Sequence, residues 1–98
     1  MLEQIRPQQM AEHIGSEFDV SIDSSRTLRL TLTDVVESVK TKHSEAFSLF
    51  FRGPSDTFLP QRTRTMKHPT LGEFELFLVP VAQDKNGFQY EAVFNLMH

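Results

Sequence analysis

The sequence predicts a mainly β fold: about six antiparallel strands that form a barrel or a rolled sheet, preceded by one short N-terminal helix. Three observations carry this prediction. Apolar and polar residues alternate along most of the chain, the connections between alternating segments are short, and proline or glycine marks many of their ends. We interpret the 98 residues as a single domain, with the helix in residues 1–15 and antiparallel strands in residues 16–97. Closure into a barrel would remove open strand edges.

The segment "PQQMAEHIG" predicts the short helix. Pro7 suits a first helical position, Met10, His13 and Ile14 share one face, and Gly15 can end the helix.

Two alternating segments, "SEFDVSID" and "TLRLTLTDV", predict the first two strands. The conformation of the continuation is open, because residues 35–42 can also break into a loop or form one helical turn. A further short helix there would make the fold α+β. The residues predicted to point inward are Phe18, Val20, Ile22, Leu28, Leu30 and Leu32.

The segment "FSLFFRGP" predicts the most apolar strand. Phe47, Leu49 and Phe51 share one face, which we expect to be buried. Phe50 and Arg52 share the opposite face, so this strand is covered on both sides or lies against a neighbour.

Proline and glycine end the following elements. Gly53 and Pro54 stop the apolar strand, because proline donates no hydrogen bond to a ladder. "RTRTMKH" is a fourth strand of low apolar content, and "HPTLG" is a reverse turn in which the ring of His68 bonds to nearby backbone. The structural turn residues predicted in this way are Gly53, Pro54, Pro60, His68, Pro69, Gly72 and Gly87.

The clearest element is a final hairpin, in which "GEFELFLVPVAQ" and "FQYEAVFNLM" flank "DKNG". A three-residue loop, Lys85–Gly87 with Gly87 left-handed, would pair Ala82 with Tyr90 and keep the apolar residues on one face. Pro80 fits an edge, a bulge or a bend.

Composition excludes several classes of function. The net charge is −3 and the densest basic stretch is "RTRTMK", so we expect no nucleic-acid partner. The chain has no cysteine, which excludes thiol catalysis and disulfides. The longest apolar run, "LFLVPVA", is far shorter than the roughly 20 residues of a membrane span. We therefore expect a cytoplasmic protein with no membrane partner.

No pattern of residues predicts catalysis. Glu73, Glu75 and Glu91 fit a solvated strand face, and Ser48 has no assignable base. The sequence contains neither GxSxG nor a glycine-rich phosphate loop. We expect no catalytic residue, no cofactor and no metal, because the histidines lack a ligand spacing. These histidines are His13, His43, His68 and His98.

The most distinctive polar patch joins "RGP" and "LPQ". Arg52 can clamp a carboxylate or a partner's backbone with Gln61 beside it, or both can brace the loop. Phe50 with Arg52 is the best candidate site for a protein partner or a second copy of the chain. A small-ligand-binding barrel and an enzyme of unrecognised type are the alternatives.

The segments "FSLFFRGP", "LPQ", "HPTLGEFELFLVP" and "YEAVFN" together resemble a family of small bacterial domains of unknown function. The resemblance covers residues 47–95, with a weaker match at "IGSEF". Arg62 and Arg64 stand where the family often has glycine and an aromatic residue, so the family's turn geometry does not carry over there. The resemblance implies no activity, but it implies an association with phage-tail-like collar proteins.

Overall fold

Six antiparallel strands form a sheet that closes into a ring behind one short helix, in a computed structural model that describes residues 6–97. The order around the ring is β1-β2-β3-β6-β5-β4. The predicted mainly β fold is therefore confirmed. Within the described residues, no helix is long and apolar enough to cross a membrane. The elements are α1 Pro7–Ala11, β1 Glu17–Ser21, β2 Thr27–Lys40, β3 Ser44–Gly53, β4 Arg62–His68, β5 Gly72–Asp84 and β6 Gly87–Met97.

The helix is shorter than predicted. It begins at Pro7 and ends at Ala11, and the first five residues of the predicted segment lie outside the described residues. Met10 is fully buried, whereas Ile14 lies beyond the helix and is 49% exposed. Gly15 has a φ of +94° and its N–H donates to the Leu32 carbonyl at 2.8 Å, which directs the chain into β1.

The inward side chains of all six strands fill the interior of the ring. Phe18 and Phe51 meet edge to face, with ring centroids 5.4 Å apart. The buried hydrophobic residues of the described chain are Met10, Phe18, Val20, Leu30, Leu32, Phe47, Leu49, Phe51, Leu59, Met66, Leu71, Phe74, Leu76, Leu78, Tyr90 and Ala92.

Residues 35–40 continue β2, so the alternative of a helix there is wrong. They pair with β3 from Val35↔Leu49 to Lys40↔Glu45. Valine is favoured in strands, and the ladder with β3 satisfies the backbone without a helical turn.

The β5–β6 hairpin differs from its predicted register. Asp84 pairs with Gly87, which leaves a two-residue turn, and Pro80 rather than Ala82 pairs with Tyr90. The extra residue lies in β5 as a bulge between Pro80 and Ala82. The bulge keeps Tyr90 on the buried face. The predicted three-residue loop has the same effect, because it too adds one residue between the paired segments of the two strands. Pro80 beside a bulge and a positive φ at Gly87, +136°, agree with expectation.

β5 changes neighbours in the middle of its length. Leu78 pairs with Arg62 of β4, whereas the next residue, Val79, pairs with Glu91 of β6. Beyond Glu91, the described part of β6 therefore has β3 as its one hydrogen-bonded neighbour. β2 changes in the same way after Thr31, the last residue that it pairs with β1.

These two changes of neighbour divide the sheet into two regions. We call residues 34–40 of β2, 44–50 of β3 and 92–97 of β6 the arm, and the remaining sheet the ring. The ring closes between β1 and β4 through two residue pairs, Asp19↔Lys67 and Val20↔Met66. The molecule is elongated, with principal extents of 42 × 28 × 23 Å.

Candidate functional site

The outward side of the arm carries apolar side chains that no other element of the described chain covers. Val36, Ser48 and Val93 form one row across the three strands. Val36 is 49% exposed and Val93 is 60% exposed. Phe77, on the outward side of the neighbouring β5, is 51% exposed. We call Val36, Ser48, Val93 and Phe50 the outer face.

Phe50 forms the next row of this face, as its outward position in the sequence pattern predicts. It is half-buried and lies between Asp34 of β2 and Glu91 of β6. Its carbonyl accepts a hydrogen bond from the Thr33 hydroxyl at 3.2 Å. Phe50 therefore has an acidic residue opposite it on each of the two neighbouring strands.

Arg52 follows on the same side of β3 and binds a carboxylate of its own chain. Its Nη1 donates to Asp84 Oδ1 at 3.0 Å and Oδ2 at 3.3 Å. The Asn86 backbone N–H also donates to Asp84, at 2.7 Å. These bonds, the one from Asn86 first, lower the pKa of Asp84. Arg52 thus stabilises the β5–β6 turn through the Asp84 carboxylate.

Gln61 is exposed, and no hydrogen bond of the described chain joins it to Arg52. The loop is instead held by Arg64, which is only 5% exposed and whose Nη2 donates to the Pro60 carbonyl at 2.8 Å. Burial, and then the charge of Arg62, lower the pKa of Arg64. The sequence contained a signal for this role, because strand alternation puts Arg64 on the buried side of "RTRTMKH".

A second tether of the same loop was missed by the sequence analysis. The hydroxyl of Tyr90, which is fully buried, accepts a hydrogen bond from the Leu59 N–H at 3.0 Å. Burial raises the pKa of Tyr90. The two residues are 31 positions apart, so no local pattern indicates the contact.

The glycines of "RGP" and "DKNG" serve a close approach between β3 and β6. A Cβ on Gly53 would lie 2.7 Å from Leu30 Cδ2, and a Cβ on Gly87 would lie 2.0 Å from the Gly53 carbonyl oxygen. Gly53 has no positive φ. It therefore serves close packing against Leu30 and Tyr90, and not the sharp bend that the sequence suggested. Pro54 follows it, half-buried, at the end of β3.

Apart from the outer face, the described chain has a polar cleft of about 480 Å³ beside the β4–β5 turn. The turn runs through Pro69 and ends at Gly72, whose φ is +86°. His68 Nδ1 accepts hydrogen bonds from the backbone N–H of Thr70 at 3.1 Å and of Leu71 at 3.2 Å. The predicted bonding of the His68 ring to nearby backbone is therefore present.

The other ring nitrogen of His68 faces a serine, which raises the question of nucleophilic catalysis. Nε2 lies 3.1 Å from Ser16 Oγ, and Ser16 Oγ donates to the His13 carbonyl at 2.6 Å. Because Nδ1 accepts two hydrogen bonds, the ring proton sits on Nε2 and points at the serine. Burial, and then the charge of His13, lower the pKa of His68. His68 therefore donates to Ser16 and does not remove its proton, the reverse of nucleophile activation.

The remaining charged side chains of the cleft pair with one another, one arginine with two carboxylates. Arg29 lies 3.3 Å from Asp19 and 3.5 Å from Glu17. Among the described residues, no group of three or more histidine, aspartate or glutamate side chains is arranged to hold a metal ion. The cleft is thus a surface network of satisfied polar groups.

Comparison with known families finds a domain of unknown function. A family model described as a domain of unknown function, DUF6916, matches residues 5–94. The chain belongs to this family. The DUF6916 match includes the outer face, both glycines of the β3–β6 contact and the His68 turn. No curated protein and no solved structure matches the chain.

Proposed function

We propose that this DUF6916 domain is a non-catalytic protein-binding module that presents the outer face of its arm to a protein partner. The observation that supports this most directly is the row of Val36 and Val93, which are 49% and 60% exposed on paired strands. Contiguous exposed apolar side chains that are rimmed by polar ones are typical of interaction surfaces.

The surroundings of this row favour a particular kind of partner. Asp34 and Glu91 flank Phe50 on the outer face, and the chain carries a net charge of −3. A partner with an apolar centre and basic residues at its rim would complement this arrangement. Phe50 stays in the proposed site, whereas Arg52 lies at its margin and Gln61 outside it.

The alternatives draw less support. Large apolar side chains occupy the ring interior, so a small ligand there would displace the residues that stabilise the fold. The Ser16–His68 pair has the proton on the wrong atom for catalysis. A bacterial origin and a role in assembling phage-tail-like particles are extensions of the same proposal and derive from the motif resemblance.

The test compares the wild-type protein with a Val36→Lys, Ser48→Lys double variant in co-purification from the source organism. We expect a specific partner to be retained by the wild-type protein and lost by the double variant, because two desolvated cations would stand in the centre of the face. Ile14→Lys is the matched control, since Ile14 is exposed to the same degree as Val36 but lies outside the arm.

Two results would contradict this proposal. One is a folded double variant that retains every association of the wild-type protein. The other is turnover of any compound in a metabolite panel by the purified wild-type protein.

A further inference from the structure

Among the residues that the structure describes, the arm has two unpaired edges, one on β2 and one on β6. The β2 edge is protected. Register shifts between Leu32 and Asp34 and between Glu37 and Val39 interrupt its ladder with β3. Asp34, Glu37 and Lys40 add charges along it. Bulges and charges are the devices by which natural proteins keep an edge strand from pairing with another chain.

The β6 edge carries none of these devices. Its pairing with β3 runs without a register shift from Gly53↔Phe88 to Ser44↔Met97. Residues 92–97 read "AVFNLM", with no charge and no proline. In the described chain β5 pairs with β6 only up to Glu91, so the backbone of this segment offers an unpaired edge about 20 Å long. Such a regular, uncharged edge is a template for another strand.

We infer that residues 92–97 pair antiparallel with the same residues of a second copy of the chain, which extends the sheet across a two-fold axis. Self-pairing uses the same surface on both copies, so the unpaired backbone N–H and C=O groups of each edge bond to those of the other. The assembly therefore closes as a dimer. Pairing of β6 with β2 of another copy would be head-to-tail, which gives rings or filaments and not a two-fold dimer, and the bulges of β2 oppose it. The uncharged segment places no like charges opposite one another.

Pairing of two β6 edges would also bury apolar side chains along the edge. Phe94 stacks on Phe47 with ring centroids 5.0 Å apart, and it is only partly buried. Val93, on the opposite side of the strand, is 60% exposed. A second β6 would cover both, because cross-strand neighbours in an antiparallel pair lie in side-chain contact. The inference does not depend on the proposed function, since it rests on the backbone edge, and Val93 is the one outer-face residue that it uses.

The experiment measures molar mass by light scattering after size-exclusion chromatography, over a wide range of protein concentration. We expect the mass of a dimer for the wild-type protein and half that mass for Asn95→Lys. Asn95 is exposed in the middle of the edge, so the variant sets two cations close to the two-fold axis. A wild-type protein that is monomeric at every concentration, or an Asn95→Lys variant that stays dimeric, would overturn the inference.

Hydrogen exchange gives a second readout that needs no variant. The outward amides of residues 92–97 should be protected in the wild-type protein, and this protection should be lost on dilution. Concentration-independent exchange there would contradict the pairing.

The Val36→Lys, Ser48→Lys variant separates this inference from the proposed function. It should remain dimeric while it loses the heterologous partner. If it dissociates the dimer and Asn95→Lys does not, copies associate through the outer face and the edge inference is wrong.

Discussion

The ring and the arm are built from the same alternating pattern, but they leave different groups exposed. In the ring, closure covers the inward side chains, and Phe18, Phe51 and Tyr90 have no exposed surface. In the arm, β2 and β6 each have β3 as their hydrogen-bonded neighbour, and no described residue covers the outward side chains of Val36 and Val93. Inward residues, most of which belong to the ring, should therefore determine stability, whereas outward arm residues should determine association.

The largest effect is expected from a pair of adjacent phenylalanines at the junction of the two regions. Phe51→Ala should lower the free energy of unfolding by about 3–5 kcal/mol, the usual cost of emptying a core aromatic site. Phe50→Ala should cost clearly less, because Phe50 is half-buried on the outward side. Urea unfolding measures both. If the two variants lose the same free energy of unfolding, the outer face is packed as tightly as the ring interior, and the proposed difference between ring and arm is wrong.

A smaller effect separates two glycines that both have positive φ. Gly87→Ala should cost about 3 kcal/mol, because left-handed strain and a clash with the Gly53 carbonyl combine. Gly15→Ala should cost about 1 kcal/mol, since a Cβ at Gly15 meets nothing within 4 Å. Thermal or urea unfolding of the two variants gives the difference. If they prove equally stable, the close approach of β3 and β6 is not required.

The smallest effect is a pH dependence that originates in the ring. The pKa of His68 is lowered by burial and by His13, so on acidification the unfolded chain takes up a proton at this site before the folded chain does. The contribution to stability is complete above about pH 6.5 and is lost as the pH falls below that value. One proton limits the slope to about 1.4 kcal/mol per pH unit.

Urea unfolding between about pH 7 and pH 5 measures this slope. His68→Asn should flatten it, because the amide oxygen can accept the Thr70 and Leu71 N–H bonds without titrating. His43→Asn, at an exposed histidine outside the ring, is the control and should keep the wild-type slope. A slope that survives His68→Asn would assign the dependence to another group.

Alternation predicted the faces of the strands well, because a period of two decides which side each residue occupies. The predicted segment "RTRTMKH" coincides with β4, Arg62–His68, residue for residue. The outward position of Phe50 followed from the same rule.

Register in the hairpin could not be obtained in this way. A three-residue loop and a two-residue turn with a bulge at Val81 both keep Tyr90 inward, so the apolar pattern does not distinguish them. The extension of β2 was also open, because it depends on pairing with β3 and not on local preference.

The polar contacts of the candidate sites lay beyond the sequence for a related reason. Tyr90 reaches Leu59 across 31 positions, and Ser16 reaches His68 across 52. Such contacts exist only after the ring has closed. The exposure of the arm's outward side chains likewise depends on the residue at which β5 stops pairing with β6. No local sequence pattern indicates that residue.

The narrow closure between β1 and β4 has a consequence for the rate of folding. Its two residue pairs join segments almost fifty positions apart, whereas hairpins supply most of the other ladders. Closing so long a loop loses much chain entropy and gains little until the core has assembled. We therefore expect this seam to form after the hairpins and to be among the first parts of the sheet to open. Val20→Ala should then speed unfolding and leave the folding rate nearly unchanged.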